Sequence, residues 1–116
     1  MSIEKFSAIF DGLKEAYGTF KIEKKQANGK NGGKAAILRE PRTMVLWEGH
    51  LTGKGKGIGI IPINEENNCK WGCIDIDQYP LDHKDLVSKI TKLKLPLVVC
   101  RSKSGGAHCF LFTKDW

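Results

Sequence analysis

An α+β fold is what this sequence predicts, an antiparallel or mixed sheet with helices packed on it, and three observations carry that expectation. Apolar residues repeat at helical spacing near the N-terminus, apolar runs bounded by turn residues follow, and from Trp71 onward the order reads strand, helix, strand, strand. With 116 residues the chain suits one domain with one modest core and is short for two. The expected organisation is a single domain over 1–116, with 1–63 as a helical and strand lead-in and 64–116 as the strand-helix-strand-strand unit.

Taken in order, Phe6, Ile9, Phe10, Leu13 and Tyr17 fall at i, i+3, i+4, i+7 and i+11, the stripe of an amphipathic helix. Ser2 is its candidate cap and Gly18 its stop, after which Phe20 and Ile22 suggest a short extended piece. Lys24 to Lys34, with Asn28, Gly29, Asn31, Gly32 and Gly33, reads as an exposed basic loop. A short helix is expected between Pro41 and His50, with Thr43 as cap and Met44, Val45, Trp47 and Leu51 for burial. Gly53-Lys54-Gly55-Lys56-Gly57 lacks the spacing of a phosphate loop and leads into a strand, Ile58 to Ile63. Glu65 to Asn68 is a turn, and the strand Trp71 to Asp77 follows closely enough to pair with Ile58–Ile63 as a hairpin. Asp82 and Asp85 resemble a cap for a helix marked by Leu86, Val87, Ile90 and Leu93. Leu97 to Cys100 reads as a buried strand, and His108 to Phe112 as the strand that returns after a Ser-Lys-Ser-Gly-Gly turn.

Composition narrows the class. Apolar residues at 41% and charged residues at 28% are ordinary for a globular chain and exclude a disordered one. No apolar run is long enough to span a bilayer, and the first residues lack a signal-peptide core, so a cytoplasmic protein with no membrane partner is expected. Of the net charge of +6, residues 1–60 carry +5 and residues 61–116 only +1, an imbalance compatible with a nucleic-acid backbone lying across the first half. Cys69, Cys73, Cys100 and Cys109 lack the paired spacing of a zinc site. Cys73, Cys100 and Cys109 read as reduced core residues of strands.

The chemistry concentrates between Trp71 and His108. On a strand, Asp75 and Asp77 project from one face about 7 Å apart. Their mutual repulsion is relieved by a hard divalent cation, Mg²⁺ or Mn²⁺, of the kind used to move phosphoryl or nucleotidyl groups. The turn Arg101-Ser102-Lys103-Ser104-Gly105-Gly106 offers cations, hydroxyls and backbone N–H groups to a polyphosphate, and His108 stands at the mouth of the returning strand.

At these residues the chain resembles the archaeo-eukaryotic primase superfamily. Ile74-Asp75-Ile76-Asp77 is similar to that family's hydrophobic strand ending in Asp-x-Asp, and Gly106-Ala107-His108 to its small-x-His motif. Arg101 through His108 resembles the primase-like domains of TOTE conflict systems and related mobile-element primase-polymerases. Phe10-Asp11-Gly12 with Tyr17, and His50 to Pro62, extend the likeness over most of the chain.

The resemblance implies an RRM-like palm and a DNA primase or polymerase activity, template-directed transfer from nucleoside triphosphates onto a 3′-hydroxyl. It implies Asp75 and Asp77 as metal ligands, Asp75, Asp77 and His108 as catalytic groups, and His108 and Ser104 as contacts to the triphosphate. Arg101, Ser102, Lys103, Gly105 and Gly106 complete the nucleotide-binding turn. A DNA template, single-stranded or primed, and a helicase or other replication domain in the parent protein are the implied partners. The family's third motif, a hydrophobic residue followed by aspartate on a later strand, is not matched by Lys114-Asp115, so a catalytic domain cut before its third acid is expected.

Blander readings stand beside these. Asp75 and Asp77 could be solvent-facing strand-end acids, His108 a residue bonded to a neighbouring carbonyl, Arg101 a surface charge, Trp47 and Trp71 packing residues, and His50 a helix-end residue near the dipole. Two other functions fit the same acids: a catalytically incomplete nucleotide- or nucleic-acid-binding domain, and a metal-dependent nuclease.

Overall fold

A computed structural model describes residues 2–25 and 31–116. The chain is α+β, with three helices and two three-stranded antiparallel sheets among the described residues. It divides into two compact units, one of residues up to Lys70 with Trp116, the other Trp71–Asp115.

In the first unit, α1 spans Ile3–Ile9, and the Ser2 hydroxyl accepts from the Lys5 amide at 3.2 Å, the expected cap. The helix stops well before Gly18. The Asp11 carboxylate turns back to accept from the Gly12 amide at 2.9 Å, and Leu13 donates its N–H to the Ile61 carbonyl at 2.9 Å. A side chain at Gly12 would collide with that same carbonyl. Leu13 and Tyr17 therefore continue the apolar spacing on extended chain. Arg42, only 9% exposed, pairs with Asp11 and donates from Nε to the Leu13 carbonyl at 3.0 Å, pinning this segment.

β1, Tyr17–Lys25, pairs with β2, Asn31–Leu38, on one side and with β3, Gly57–Gly59, on the other. The described ends of the expected loop, Lys24 and Lys25 on one side and Asn31 to Lys34 on the other, are thus strand, and Lys34 stands opposite Lys21; the rest of that loop, with Asn28 and Gly29, lies outside the described residues. α2, Met44–Thr52, ends on Gly53 at φ 70°, the left-handed conformation glycine adopts freely. Thr43 sits at its N-terminus without a side-chain cap bond. Trp47 is buried, with its ring edge-on to Phe6 at 5.8 Å, whereas Met44, Val45 and Leu51 are exposed. His50 lies in the last turn, where its Nδ1 accepts from the Ile58 amide at 3.2 Å. The Asn64 side chain closes the predicted turn by accepting from the amides of Glu66 and Asn68.

In the second unit, β4 is Trp71–Ile76, α3 is His83–Lys92, β5 is Val98–Arg101 and β6 is Ala107–Phe112. The sheet order is β4-β6-β5, all antiparallel. The expected hairpin between Ile58–Ile63 and Trp71–Asp77 does not form: β3 is short and pairs with β1, while β4 pairs with β6. That register sets Trp71 opposite Phe112 and Cys73 opposite Phe110, apolar cross-strand pairs of the stabilising kind. β6 is the central strand, so Ala107 and Cys109 are buried, while Val98 on the edge strand β5 is half exposed. Edge placement likewise leaves Cys73 and Cys100 exposed, against their expected burial, and all four cysteines are free thiols. Asp82 caps α3 by accepting from the Asp85 amide at 3.0 Å, as its spacing suggests.

Candidate functional site

The register of β4 against β6 places the central pair. Asp75 is directly opposite His108, and His108 Nε2 lies 3.5 Å from Asp75 Oδ1. Cys100 on β5 is opposite His108 in turn, so Asp75, His108 and Cys100 share one face of the sheet. His108, Phe110 and Phe112 run along that face as a ladder of rings, with successive centroids 5.9 and 5.8 Å apart. Trp71 meets Phe110 edge-on at 5.9 Å, which makes it a packing residue of the sheet.

Asp77 lies one residue beyond β4. Its Oδ1 accepts from the Tyr79 hydroxyl at 3.0 Å. The same hydroxyl is 2.7 Å from Ser104 Oγ, and Ser104 Oγ is 3.2 Å from Ser102 Oγ. Tyr79 thereby joins the second acid to the turn between β5 and β6. Nothing in strand periodicity pointed to Tyr79, because its position follows from the chain's course beyond β4.

The turn is closed by its own backbone: the Ser102 amide donates to the Gly106 carbonyl at 3.0 Å and the Gly105 amide to the Ser102 carbonyl at 3.1 Å. The Gly105 N–H, expected to face a phosphate, is therefore already committed, and what glycine supplies there is its φ of 96°. Gly106 is buried, and a side chain on it would strike the Ile76 carbonyl. His83, the first residue of α3, holds the turn from behind with Nε2 2.8 Å from the Gly106 carbonyl. A carbonyl only accepts, so Nε2 carries the proton. His83 is a second residue that sequence reasoning missed; the Asp82 cap marks the helix start beside it but not its approach to the turn.

The predicted residues do not all converge. Arg101 pairs with Ala107, one position out of phase with Cys100 and His108, which assigns it to the opposite face of the sheet. Lys103 is exposed at the turn. Two contact groups result, Asp75 with His108 and Asp77 with Tyr79, Ser104 and Ser102, and Gly105 and Gly106 shape the turn that carries the serines.

Asp75 and Asp77 are the candidate metal ligands. Among the described residues no group of three or more His, Cys, Asp or Glu gathers. Carboxylate oxygens are the right donors for Mg²⁺ or Mn²⁺, and Mg²⁺ is commonly held by one or two carboxylates together with substrate phosphates and water. The pair fits such an ion in kind and leaves most of its coordination to a ligand. Two shallow grooves of about 350 and 340 Å³ lie in the first unit around α1 and α2, remote in sequence from the acids, and carry none of this chemistry.

Partial desolvation by the strands around it raises the Cys73 thiol above its ordinary value although the residue is exposed, and the charge of Asp75 adds to the rise. Cys109 is raised by burial as well, so neither is an activated nucleophile.

A family model for the TOTE conflict system, Archaeo-Eukaryotic Primase domain, matches residues 14–115. The chain belongs to this primase domain family. The match takes in the acidic strand, α3, the serine turn, His108, Tyr17 and His50 to Pro62, while Phe10-Asp11-Gly12 lies outside it. Comparison with curated proteins and with solved structures returned no match. Membership places the chain in a primase-like nucleotidyltransferase superfamily, and among the described residues no helix is long and apolar enough to cross a membrane.

Proposed function

We propose that this primase domain carries the nucleotide site of a metal-dependent, template-directed DNA primase or polymerase, acting in the cytoplasm on nucleoside triphosphates and a DNA template. The observation that carries the reading is the juxtaposition, inside a primase-family chain, of Asp75 with His108 across β4 and β6 and of Asp77 with the Ser102–Gly106 turn through Tyr79.

Asp75 and Asp77 would hold Mg²⁺ or Mn²⁺, which when bound offsets the charge developing on the transferred phosphorus and the departing pyrophosphate. His108 presents an imidazole N–H beside Asp75, suited to a phosphate oxygen. Ser104 and Ser102 offer hydroxyls, and exposed Lys103 adds positive charge at the turn. In the family pattern a third carboxylate on a later strand joins the two, and a helicase or other replication domain accompanies the module.

A second reading has a specific observation in its favour: among the described residues no group of three or more His, Cys, Asp or Glu gathers, as in a domain that binds nucleotide without turning it over. Calorimetric titration of a nucleoside triphosphate with Mn²⁺ tests both. Binding that needs Mn²⁺ and is lost in Asp75→Ala/Asp77→Ala and in His108→Ala supports the site, and primer extension by the same protein separates the active from the binding-only reading. Binding indifferent to these residues would overturn both.

A further inference from the structure

We propose that Tyr79 is a positioning residue that couples the cation side of the site to its triphosphate side by reversing the direction of a hydroxyl relay. The inference rests on the nucleotide-site reading above and adds to it a residue that no sequence motif marks.

Proton accounting fixes the relay in the unliganded state. An ionised carboxylate only accepts and each hydroxyl has one proton. Tyr79 therefore donates to Asp77 Oδ1, 3.0 Å away, and must accept from Ser104, 2.7 Å away. The Ser104 proton is then spent on Tyr79, and Ser104 accepts from Ser102 at 3.2 Å. All three protons point towards Asp77, and Ser104 has none left for a phosphate oxygen.

A divalent cation on Asp77 draws electron density from that carboxylate and weakens it as an acceptor. The Tyr79 hydroxyl can then donate to Ser104 Oγ, at the same oxygen-oxygen separation, and Ser104 directs its own proton to a phosphate. The two hydroxyls thus have two discrete arrangements, one favoured by an empty Asp77 and the other by cation and phosphate together. By linkage, each ligand tightens the other through this element, in addition to any direct contact between them.

The test measures the affinity of a nucleoside triphosphate with and without Mn²⁺, and takes the ratio as the coupling, in wild type, Tyr79→Phe, Ser104→Ala and the double variant. Phenylalanine keeps the ring and removes only the hydroxyl, Tyr79 is exposed so that the fold does not depend on its burial, and thermal melting checks that each variant folds. The coupling should fall about three- to tenfold in Tyr79→Phe, the value of one net hydrogen bond. Ser104→Ala should lose the same factor, and the double variant no more than either. A uniform loss of affinity that leaves the ratio intact would mean Tyr79 is merely structural and would overturn the relay while the nucleotide site stands. Absence of triphosphate binding in the wild type would instead overturn the site reading and the relay with it.

Discussion

Asp75 and His108 face each other across the β4–β6 ladder with 3.5 Å between Oδ1 and Nε2, and their side chains are 60% and 43% exposed. A pair so exposed contributes about 0–1 kcal/mol to stability, so its placement is better explained by ligand chemistry than by folding. Asp75→Asn should shift the unfolding free energy by no more than about 1 kcal/mol while abolishing Mn²⁺-dependent triphosphate binding. Urea denaturation and calorimetry on the same preparation check the two halves, and a large stability loss would make the pair structural.

His108 also belongs to the ring ladder with Phe110 and Phe112. His108→Phe keeps an aromatic there, worth about 0.5–1.5 kcal/mol per ring pair, and removes only the imidazole nitrogens. The expected outcome is a near-unchanged melting temperature with triphosphate affinity down about ten- to a hundredfold, the range for a hydrogen bond to a charged group. Unaltered affinity would show that the imidazole does not touch the phosphates.

The two turn glycines should respond differently. Gly106→Ala drives a methyl group into the Ile76 carbonyl, backbone that cannot step aside cheaply, and should cost about 1–3 kcal/mol. Gly105 has open space around it but φ 96°, so Gly105→Ala should cost about 1–2 kcal/mol through backbone strain alone. Gly106→Ala should also displace the Asp75 strand from the turn and weaken nucleotide binding further than its stability loss explains. Equal effects in denaturation and binding would contradict this account of the turn.

How far these features were legible depended on whether local pattern and tertiary context agreed. From Trp71 to Phe112 they did: alternation along β4 and β6, the Asp82 cap and the glycine turn each specify one local structure, and the elements appear as expected. At the N-terminus Leu13 and Tyr17 mimicked helical periodicity, while Asp11 and Gly12 were fixed by Arg42 and Ile61, residues distant in sequence. β2 went unread because glycines and lysines are poor strand markers and its pairing with β1 supplies what propensity does not. The acids, the histidine and the serines announced themselves by residue type. Tyr79 and His83 did not, since their partners Ser104 and Gly106 lie 25 and 23 residues further on.

Arg42 fastens the first unit's irregular segment through the Asp11 carboxylate and the Gly12 and Leu13 carbonyls. Removing one partner of a buried pair costs about 3–5 kcal/mol, and with Asp11 24% exposed solvent screening reduces this to about 2–3 kcal/mol. Arg42→Met should destabilise the protein by that amount in urea denaturation, and Arg42→Lys should recover only part, because lysine lacks the planar fork that reaches several acceptors at once. Full recovery by lysine would show that charge alone matters.

Tyr17, buried at 3% exposure, donates its hydroxyl to Glu40 Oε1 at 2.6 Å. That hydrogen bond, together with burial and the nearby charge of Glu40, raises its pKa above the ordinary 10.0. The folded chain therefore holds the phenolic proton more tightly than the unfolded one, and stability falls as pH rises where the folded state binds more protons. The contribution is complete below pH 10, the unfolded value, and is lost as pH climbs through the higher folded value. Wild type should melt above Tyr17→Phe at pH 8, and the gap should narrow steadily above pH 10. Lysine and cysteine titrations act on both proteins alike and cancel in the difference. A gap that stays constant to pH 11.5 would mean that the Tyr17 proton is not held by Glu40 in solution.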